Sequence, residues 1–334
     1  MLRMPEFEVL HPTTPEEAVA LCAAHDGARY VAGGTDLLPN LKHGLLQPPH
    51  LINLRSIASL KGISRKESGG FVLGALTSLH EIAESESVQS ALPGLSQAAG
   101  LVAGPQHRRM GTIGGNVMLD TRCLYYNQTP AWRHSLGYCL KAEGDWCHVI
   151  GSKATCVAAN SADTVPVLLA MNAKLHLMTG SGALVMELAQ LYQQNGMANH
   201  SIDPHTLITA IEIPPQGAGH RSVYRKVRAR NAIDFPQLGL AVVATFDGTR
   251  CTALSAVINA IMPKPKVLKK LEAAVGTELP DDVIKALGAA AFKQTRPQTS
   301  IHGDPAWRKH MARVEMQRAL KALRDDPNSQ ARSL

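Results

Sequence analysis

The order of hydrophobic and polar positions predicts a small βαβ unit at the start of the chain. Thr14-Pro15-Glu16-Glu17 has the form of a capping box with proline at the first helical position. A helix is therefore predicted over 15–24, with Ala18, Leu21 and Cys22 facing the core. Short strands are predicted at 29–32 and 51–54, and Thr35-Asp36 should cap a second helix that runs to about residue 42.

The pattern from about residue 60 onward predicts an α+β protein. Pro214-Pro215-Gln-Gly-Ala-Gly219 is the clearest linker signal. We therefore expect an N-terminal domain over 1–216, with subdomains at about 1–58 and 59–216, and a C-terminal α+β domain with an antiparallel sheet and helices over 217–334. Before the linker, strands are predicted at 71–75, 174–178 and 207–213. One helix is predicted to begin near Ser78, a second to span 92–102, and a third to span 164–171 with Asp163 as its cap. After the linker the predicted strands are 223–227, 238–246 and 251–259, and the predicted helices are 266–275, 281–291 and 307–324.

Two glycine pairs stand out within this pattern. Gly33-Gly34 lies between a predicted strand and a helix N-terminus, an arrangement in which free backbone N–H groups bind anions. The segment fits neither the G-x-G-x-x-G pattern nor the P-loop pattern, and a lone Gly-Gly also fits a simple tight turn. The second pair, Gly114-Gly115 in Gly111-Thr-Ile-Gly-Gly-Asn116, favours a cofactor site.

The composition and the N-terminal sequence limit the compartment in which the protein is expected and the classes of partner that it can bind. The formal charge is +7, but the basic residues are dispersed and only 4% of residues are aromatic, so no nucleic-acid partner is expected. A basic surface also suits docking of acidic electron carriers. The N-terminus has no signal-peptide pattern and no apolar run reaches the length of a membrane span, so a cytoplasmic protein without membrane attachment is expected. In a reducing compartment, clustered cysteines are metal ligands more often than disulfides.

Taken together, 31–37 and 110–116 resemble the two FAD loops of the flavin-carrying medium subunit of the xanthine oxidase family of molybdenum hydroxylases. The similarity extends through 74–77, 163–166, 208–214 and 307–310, and so covers nearly the whole chain. It implies a two-subdomain FAD-binding domain of the PCMH type followed by a CO dehydrogenase flavoprotein-like C-terminal domain. One departure is Arg109, which stands where the family often has asparagine.

The resemblance also implies which residues bind FAD. Asp163 would lie by sugar or ribityl hydroxyls, Ile208 against the ring region and Lys226 near the isoalloxazine, where a cation stabilises reduced flavin. Two plainer interpretations stay open, namely Asp163 as a helix cap and Lys226 as an exposed strand residue. The residues implied around the pyrophosphate and ribityl chain are Val31, Ala32, Gly33, Gly34, Thr35, Asp36, Leu37, Gly111, Thr112, Gly115 and Asn116.

The segment 119–156 is longer than the short connection that the family usually has there, and it contains Cys123, Cys139, Cys147 and Cys156. Four thiolates can hold an iron–sulfur cluster or a structural zinc, and spacings of 15, 7 and 8 intervening residues match neither compact ferredoxin runs nor paired zinc knuckles. A 4Fe-4S cluster is favoured, with zinc or four free thiols as alternatives. His134 and His148 are expected outside the ligand set, and Cys22 and Cys251 in the core.

Five of the fourteen aromatic residues fall in the same segment, at Tyr125, Tyr126, Trp132, Tyr138 and Trp146. Such side chains can shield a cluster from water and tune its potential. A long loop without regular structure also needs bulky residues to build its own small core.

A four-cysteine insertion of this kind resembles that of the β subunits of 4-hydroxybenzoyl-CoA reductases, where it holds a 4Fe-4S cluster. The resemblance implies a dimer of heterotrimers with a large molybdenum-cofactor subunit and a small subunit bearing two 2Fe-2S clusters. A ferredoxin-like donor would supply electrons through the 4Fe-4S cluster and FAD for reductive dehydroxylation. Alternatives are a flavin subunit of an oxidative hydroxylase that delivers electrons to NAD or quinone, and a zinc-stapled scaffold with a degenerate flavin site.

Overall fold

The computed structural model describes residues 3–325, so Met1, Leu2 and the last part of the predicted C-terminal domain, 326–334, lie outside the described residues. Among residues 3–325, no helix combines the length and the apolarity needed to cross a bilayer. The strands are β1 (Glu8–Leu10), β2 (Arg29–Val31), β3 (His50–Asn53), β4 (Ile63–Arg65), β5 (Phe71–Gly74), β6 (Lys174–Thr179), β7 (Gly182–Glu187), β8 (Leu207–Ile213), β9 (His220–Val227), β10 (Leu238–Asp247), β11 (Arg250–Asn259) and β12 (Lys266–Val267). The helices are α1 (Pro15–Ala24), α2 (Leu37–Lys42), α3 (Leu79–Glu84), α4 (Glu86–Ala91), α5 (Pro93–Gly100), α6 (Pro105–Met110), α7 (Ile113–Val117), α8 (Pro130–Ser135), α9 (Val165–Ala170), α10 (Leu188–Leu191), α11 (Asp281–Gln294) and α12 (Pro305–Asp325).

The first sheet is small and parallel, with strand order β1-β3-β2, which confirms the predicted βαβ unit. Thr14 caps α1 through a hydrogen bond that its hydroxyl accepts from the backbone N–H of Glu17. The Glu17 carboxylate accepts from Thr13 rather than from Thr14, so the capping box is incomplete. Cys22 is fully buried as predicted, whereas Val19 rather than Leu21 completes the buried face.

The second sheet is antiparallel, with order β4-β5-β8-β6-β7. Its three inner strands were predicted, but the edge strands β4 and β7 were not, because their side chains are mostly exposed and carry little apolar alternation. Ser78 is the N-cap of helix α3 and forms a complete capping box with Glu81. The main hydrophobic core lies between this sheet and helices α3, α5, α7 and α9.

The third sheet is antiparallel, with order β12-β11-β10-β9. Helix α12 packs against β9 and β10, while α5 and α9 also pack against strands of this sheet, so its side chains contribute to two cores. The helix predicted over 266–275 is wrong, because Lys266 and Val267 pair with Ile258 and Val257 instead. Within the predicted range, the helical structure is a single 3₁₀ turn, Glu272–Ala274. Cys251 is fully buried, as predicted.

Arg308 on α12 provides a test of how the C-terminal region is held together. It is fully buried, and its guanidinium donates to the carbonyls of Gln237, Gln298 and Ala260. We expect Arg308→Met to lower the free energy of unfolding by roughly 3 kcal/mol, because an unpaired buried carbonyl costs about 1–3 kcal/mol. The matched control is Arg318→Met, an exposed position on the same helix, with an expected loss below about 1 kcal/mol. Urea denaturation measures the free energy of unfolding of both variants. Equal losses in the two variants would contradict the stabilising role given to the hydrogen bonds of Arg308.

Candidate functional site

The two glycine loops meet backbone to backbone. The first follows β2, at the carboxyl end of the parallel sheet, and the second joins α6 to α7. A Cβ atom added at Gly33 would lie 1.8 Å from the carbonyl oxygen of Met110, so only glycine permits this contact. Gly34 has a left-handed φ of 71°, which turns the chain into α2. The two loops therefore form the two walls of one cleft.

The cleft contains a cavity of ≈ 340 Å³ with an excess of cationic side chains. Arg55, Lys61 and Arg109 supply the positive charge; Glu81, the acid among the lining residues, accepts a hydrogen bond from the backbone N–H of Ser78 at 2.8 Å. A concave site with this charge suits an anionic ligand such as a dinucleotide diphosphate. The lining residues are Ala32, Gly33, Arg55, Lys61, Leu76, Ser78, His80, Glu81, Arg109, Met110 and Thr112.

The loops differ in the backbone donors that they leave free. In the second loop, the N–H groups of Gly111, Gly114 and Gly115 bond to His107, Ala75 and the hydroxyl of Thr112. In the first loop, within the described structure, the N–H groups of 33–37 have no protein acceptor. The first loop is thus the better source of backbone donors to a phosphate, while Thr112 acts as the cap of α7.

Asp163 does not cap a helix, so that interpretation is wrong. Helix α9 has Thr164 as its N-cap, and the Asn116 side chain accepts hydrogen bonds from both the N–H and the hydroxyl of Thr164. The Asp163 carboxylate instead accepts from Lys226 Nζ and from the Tyr224 hydroxyl, each at 2.8 Å. Burial raises the pKa of Asp163, and the contacts with Lys226 and Tyr224 oppose that shift.

Lys226 is not an exposed strand residue either. Its side chain is 1% exposed, and its ammonium also donates to the carbonyl of Leu101 at 2.9 Å. The structure therefore brings Asp163 and Lys226 together as one buried ion pair between β9 and the start of α9. Ile208 lies in β8 and is buried in the main core. None of these three residues lines the cavity between the glycine loops.

The remaining residues of the first loop are arranged around Asp36. Val31 ends β2, Thr35 is exposed, and Leu37 begins α2, for which Asp36 is the N-cap. The Asp36 carboxylate makes no capping hydrogen bond; it accepts from Asn40 Nδ2 at 3.1 Å and forms an ion pair with Arg122. Arg122 immediately precedes the first clustered cysteine, so the ion pair connects the two candidate sites.

Cys123, Cys139, Cys147 and Cys156 are all buried, all free, and all line one small cavity. Burial, together with the neighbouring cysteines, raises the pKa of the Cys123 thiol to about 12. The cavity measures ≈ 10 Å³, about the room that one water molecule needs, so a larger group requires the lining side chains to move apart. Over residues 3–325, no three His, Cys, Asp or Glu side chains converge closely enough to hold a single metal ion.

The aromatic residues of this loop separate into two groups. Tyr126 is 8% exposed and packs with the cysteines, and Tyr125 lines the same cavity. Trp132, Tyr138 and Trp146 are 38–44% exposed and so contribute less to the buried surroundings of the cysteines. The two histidines differ in the same way, because His148 lines the cavity and His134 is exposed.

Lys141 is a buried cation of the cysteine loop. Its side chain is 5% exposed and lines the cysteine cavity. The ammonium donates to Asp120 Oδ1 at 2.6 Å and to Thr121 Oγ1 at 2.7 Å, and lies 4.7 Å from the centre of the Tyr126 ring. These contacts fix a positive charge beside four sulfur atoms.

Sequence reasoning missed several of these side chains. Arg55 had a usable signal, since it closely follows β3 and the carboxyl ends of the parallel strands β2 and β3 share one edge. Lys61 and His80 come from the neighbouring subdomain, and their approach to Gly33 depends on tertiary packing. Arg122 and Lys141 lie beside cysteines in sequence, but nothing in the spacing reveals their partners.

The comparison with known families agrees with this geometry. Residues 5–216 match the family described as the FAD binding domain in molybdopterin dehydrogenase. Residues 222–323 match the CO dehydrogenase flavoprotein C-terminal domain. The chain belongs to the FAD-binding subunits of the xanthine oxidase family. Its fold class, an FAD-binding domain followed by a CO dehydrogenase flavoprotein C-terminal domain, is therefore as predicted, and residues 5–216 form the FAD-binding part.

Individual relatives are similar over most of the chain. The carbon monoxide dehydrogenase medium chain of Afipia carboxidovorans is 30% identical over 94% of this chain and 96% of its own. The aldehyde oxidoreductase FAD-binding subunit PaoB of Escherichia coli is 31% identical over 77% of this chain and 83% of its own. Among solved structures, carbon monoxide dehydrogenase from Hydrogenophaga pseudoflava superposes with a TM-score of 0.79 at 25% identity, over 96% of this chain and 98% of its own.

The contact between the glycine loops predicts a large effect of a small substitution. Gly33→Ala places a methyl group where the Met110 carbonyl lies, so the cleft must open and the bound FAD per chain should fall at least severalfold. The matched control is Gly180→Ala, since a Cβ at Gly180 meets no atom within 4 Å. Flavin absorbance per mole of purified protein measures both variants; full FAD content in Gly33→Ala would contradict this account of the cleft.

Proposed function

We propose that the chain is the FAD and 4Fe-4S electron-transfer subunit of a molybdenum-containing 4-hydroxybenzoyl-CoA reductase. One observation carries the proposal: a loop beside the flavin cleft places four free, buried cysteines around a single cavity. An ordinary flavin subunit needs no such set. The proposed partners are a large molybdenum-cofactor subunit, a small subunit with two 2Fe-2S clusters and a ferredoxin-like donor.

The cysteine set supports an iron–sulfur centre, because four thiolates are the usual complement of a 4Fe-4S cluster and all four cysteines line one cavity. Hydrophobic cover from Tyr126 and Ala158 and the nearby cation of Lys141 suit a buried cluster whose net charge is negative.

The proposed work of this chain is to hold and orient two redox groups. FAD exchanges one or two electrons and a 4Fe-4S cluster exchanges one, so together they can join a one-electron donor to the partner subunits. The free N–H groups of 33–37 and the cations Arg55, Lys61 and Arg109 would hold the diphosphate. Asp163 and Lys226 form a buried charge pair outside the cavity lining, and the resemblance would place the ring end of FAD near this pair.

A second candidate is the flavin subunit of an oxidative hydroxylase that passes electrons outward to NAD or quinone. The names of the relatives favour it, because they include an aldehyde oxidoreductase and a xanthine dehydrogenase FAD-binding subunit of Escherichia coli O157:H7, which is 24% identical over 92% of this chain. The four-cysteine loop favours the first candidate, since a reductive reaction requires low-potential electrons and a further one-electron centre provides an entry point for them.

Two measurements on the purified complex separate these candidates. Iron, sulfide, zinc and flavin analysis is expected to give four more iron atoms per complex unit than two 2Fe-2S clusters account for, with one FAD. Anaerobic titration is then expected to show reduction by ferredoxin and none by NADH. Reduction of NAD by an aromatic or aldehyde substrate would support the oxidative candidate, and zinc without flavin would support a scaffold.

Replacement of one cysteine tests the cluster directly. Cys139→Ser should abolish the 4Fe-4S signal or convert it to a smaller cluster, while FAD content stays unchanged, because a serine oxygen is a poor ligand for this iron centre. The control is Cys251→Ala, a buried cysteine outside the loop, which should retain all iron. Low-temperature electron paramagnetic resonance and iron analysis give the result; an unaltered spectrum in Cys139→Ser would reject Cys139 as a ligand.

Lys141 should tune the potential of the same centre. Reduction adds a negative charge, which the buried ammonium stabilises, so Lys141→Met should shift the midpoint potential to more negative values at unchanged iron content. Lys153→Met, at an exposed position in the same loop, is the matched control and should change the potential little. A redox titration monitored by electron paramagnetic resonance compares the two; equal shifts would show that the Lys141 charge has no special effect.

A further inference from the structure

Arg122 occupies the base of the cysteine loop, where its backbone is fixed. Its N–H donates to the carbonyl of Ala159, and the N–H of Ala159 donates to the carbonyl of Arg122, each at 2.8 Å. This isolated β-bridge joins the two ends of the loop. Because Cys123 follows directly, the position of Arg122 also fixes the position of the first proposed ligand.

The side chain of Arg122 leaves the loop and reaches the first glycine loop. Its guanidinium forms an ion pair with the Asp36 carboxylate, and the two side chains are 18% and 29% exposed. Asn40 Nδ2 holds the other carboxylate oxygen at 3.1 Å. Asp36 is the N-cap of α2. The Arg122–Asp36 ion pair therefore connects Cys123, through short and mostly buried contacts, to the backbone of 33–37 with its free N–H donors.

The same guanidinium also contacts a third segment. It lies 4.3 Å from the centre of the Phe235 ring, in the connection between β9 and β10. That connection is anchored to the flavin-binding part by the Ile233 N–H, which donates to the carbonyl of Ala103 at 3.2 Å. The planar guanidinium of Arg122 thus stacks on the Phe235 ring and forms a charge-assisted ion pair with Asp36. These two contacts restrict its position in two directions.

We propose that Arg122 is a positioning residue that sets the separation between the flavin and the iron–sulfur centre. The inference rests on the proposed function, since it concerns the distance between those two groups. Electron transfer requires a short and constant separation, and Arg122 contacts the first glycine loop directly, through Asp36. Arg133 holds another part of the cysteine loop to the carbonyls of His43 and Gly44, at the end of α2. Without Arg122, the cysteine loop keeps its fold and its ligands but loses its direct contact with Asp36.

The test measures one-electron transfer within the complete complex. A radiolytic pulse of reductant delivers at most one electron per complex; the iron–sulfur centre that receives it is oxidised again as the flavin gains that electron, and absorbance follows both changes. Arg122→Met should slow this transfer by roughly tenfold, because small misplacements of reacting groups have large rate effects. Iron and FAD content should stay at the level of the unaltered complex. The surface control Arg318→Met should leave the rate unchanged.

Arg122→Lys is the second variant, since it keeps the charge opposite Asp36 but loses the planar contact with Phe235. Its rate should lie between those of the unaltered protein and Arg122→Met. If Arg122→Met loses FAD but keeps iron, recovery of FAD in Arg122→Lys supports the positioning role and no recovery overturns it. An unchanged transfer rate in Arg122→Met also overturns it. Absence of iron from the unaltered complex would instead refute the proposed function.

Discussion

The contact between Gly33 and the Met110 carbonyl is the constraint on which the cleft depends. It lets the carboxyl edge of the parallel sheet lie directly against the loop that precedes α7, with no side chain between them. The cavity and its cationic lining lie where the two loops meet, and the free N–H groups belong to the first of these loops. Two subdomains that each have an incomplete binding surface thereby form one complete surface.

Buried positive charges fix the positions of other elements relative to this cleft. Lys226 joins β9 to Asp163, and Arg308 joins α12 to carbonyl groups of three other segments. Each cation is nearly or fully buried, and each has oxygen partners that offset the cost of removing it from water. Removing one member of such a contact leaves a buried polar group without its partner, which is destabilising.

Elements with strong local signals could be predicted from the sequence. Strand β8 and helix α1 have the predicted bounds, and α2 ends at the predicted residue, because apolar periodicity, proline and capping residues act within a few positions. The strand at Lys266–Val267 could not be predicted in this way, since its pairing partner is β11. The same limit applies to the candidate site. Glycine pairs and cysteine spacing are visible in the chain, whereas the partners of Asp163 and Asp36 lie far away in sequence and become visible only in the folded structure.

The bridge between Arg122 and Ala159 has an evolutionary consequence. The two ends of the cysteine loop are adjacent and hydrogen-bonded to each other, so a chain that passed straight from one to the other would leave the surrounding strands and helices in place. The cost of closing a loop grows slowly with its length, and the residues between these points form a small core of their own. An ancestral flavoprotein could therefore have acquired or lost this segment in a single genetic event, without any need to redesign its scaffold.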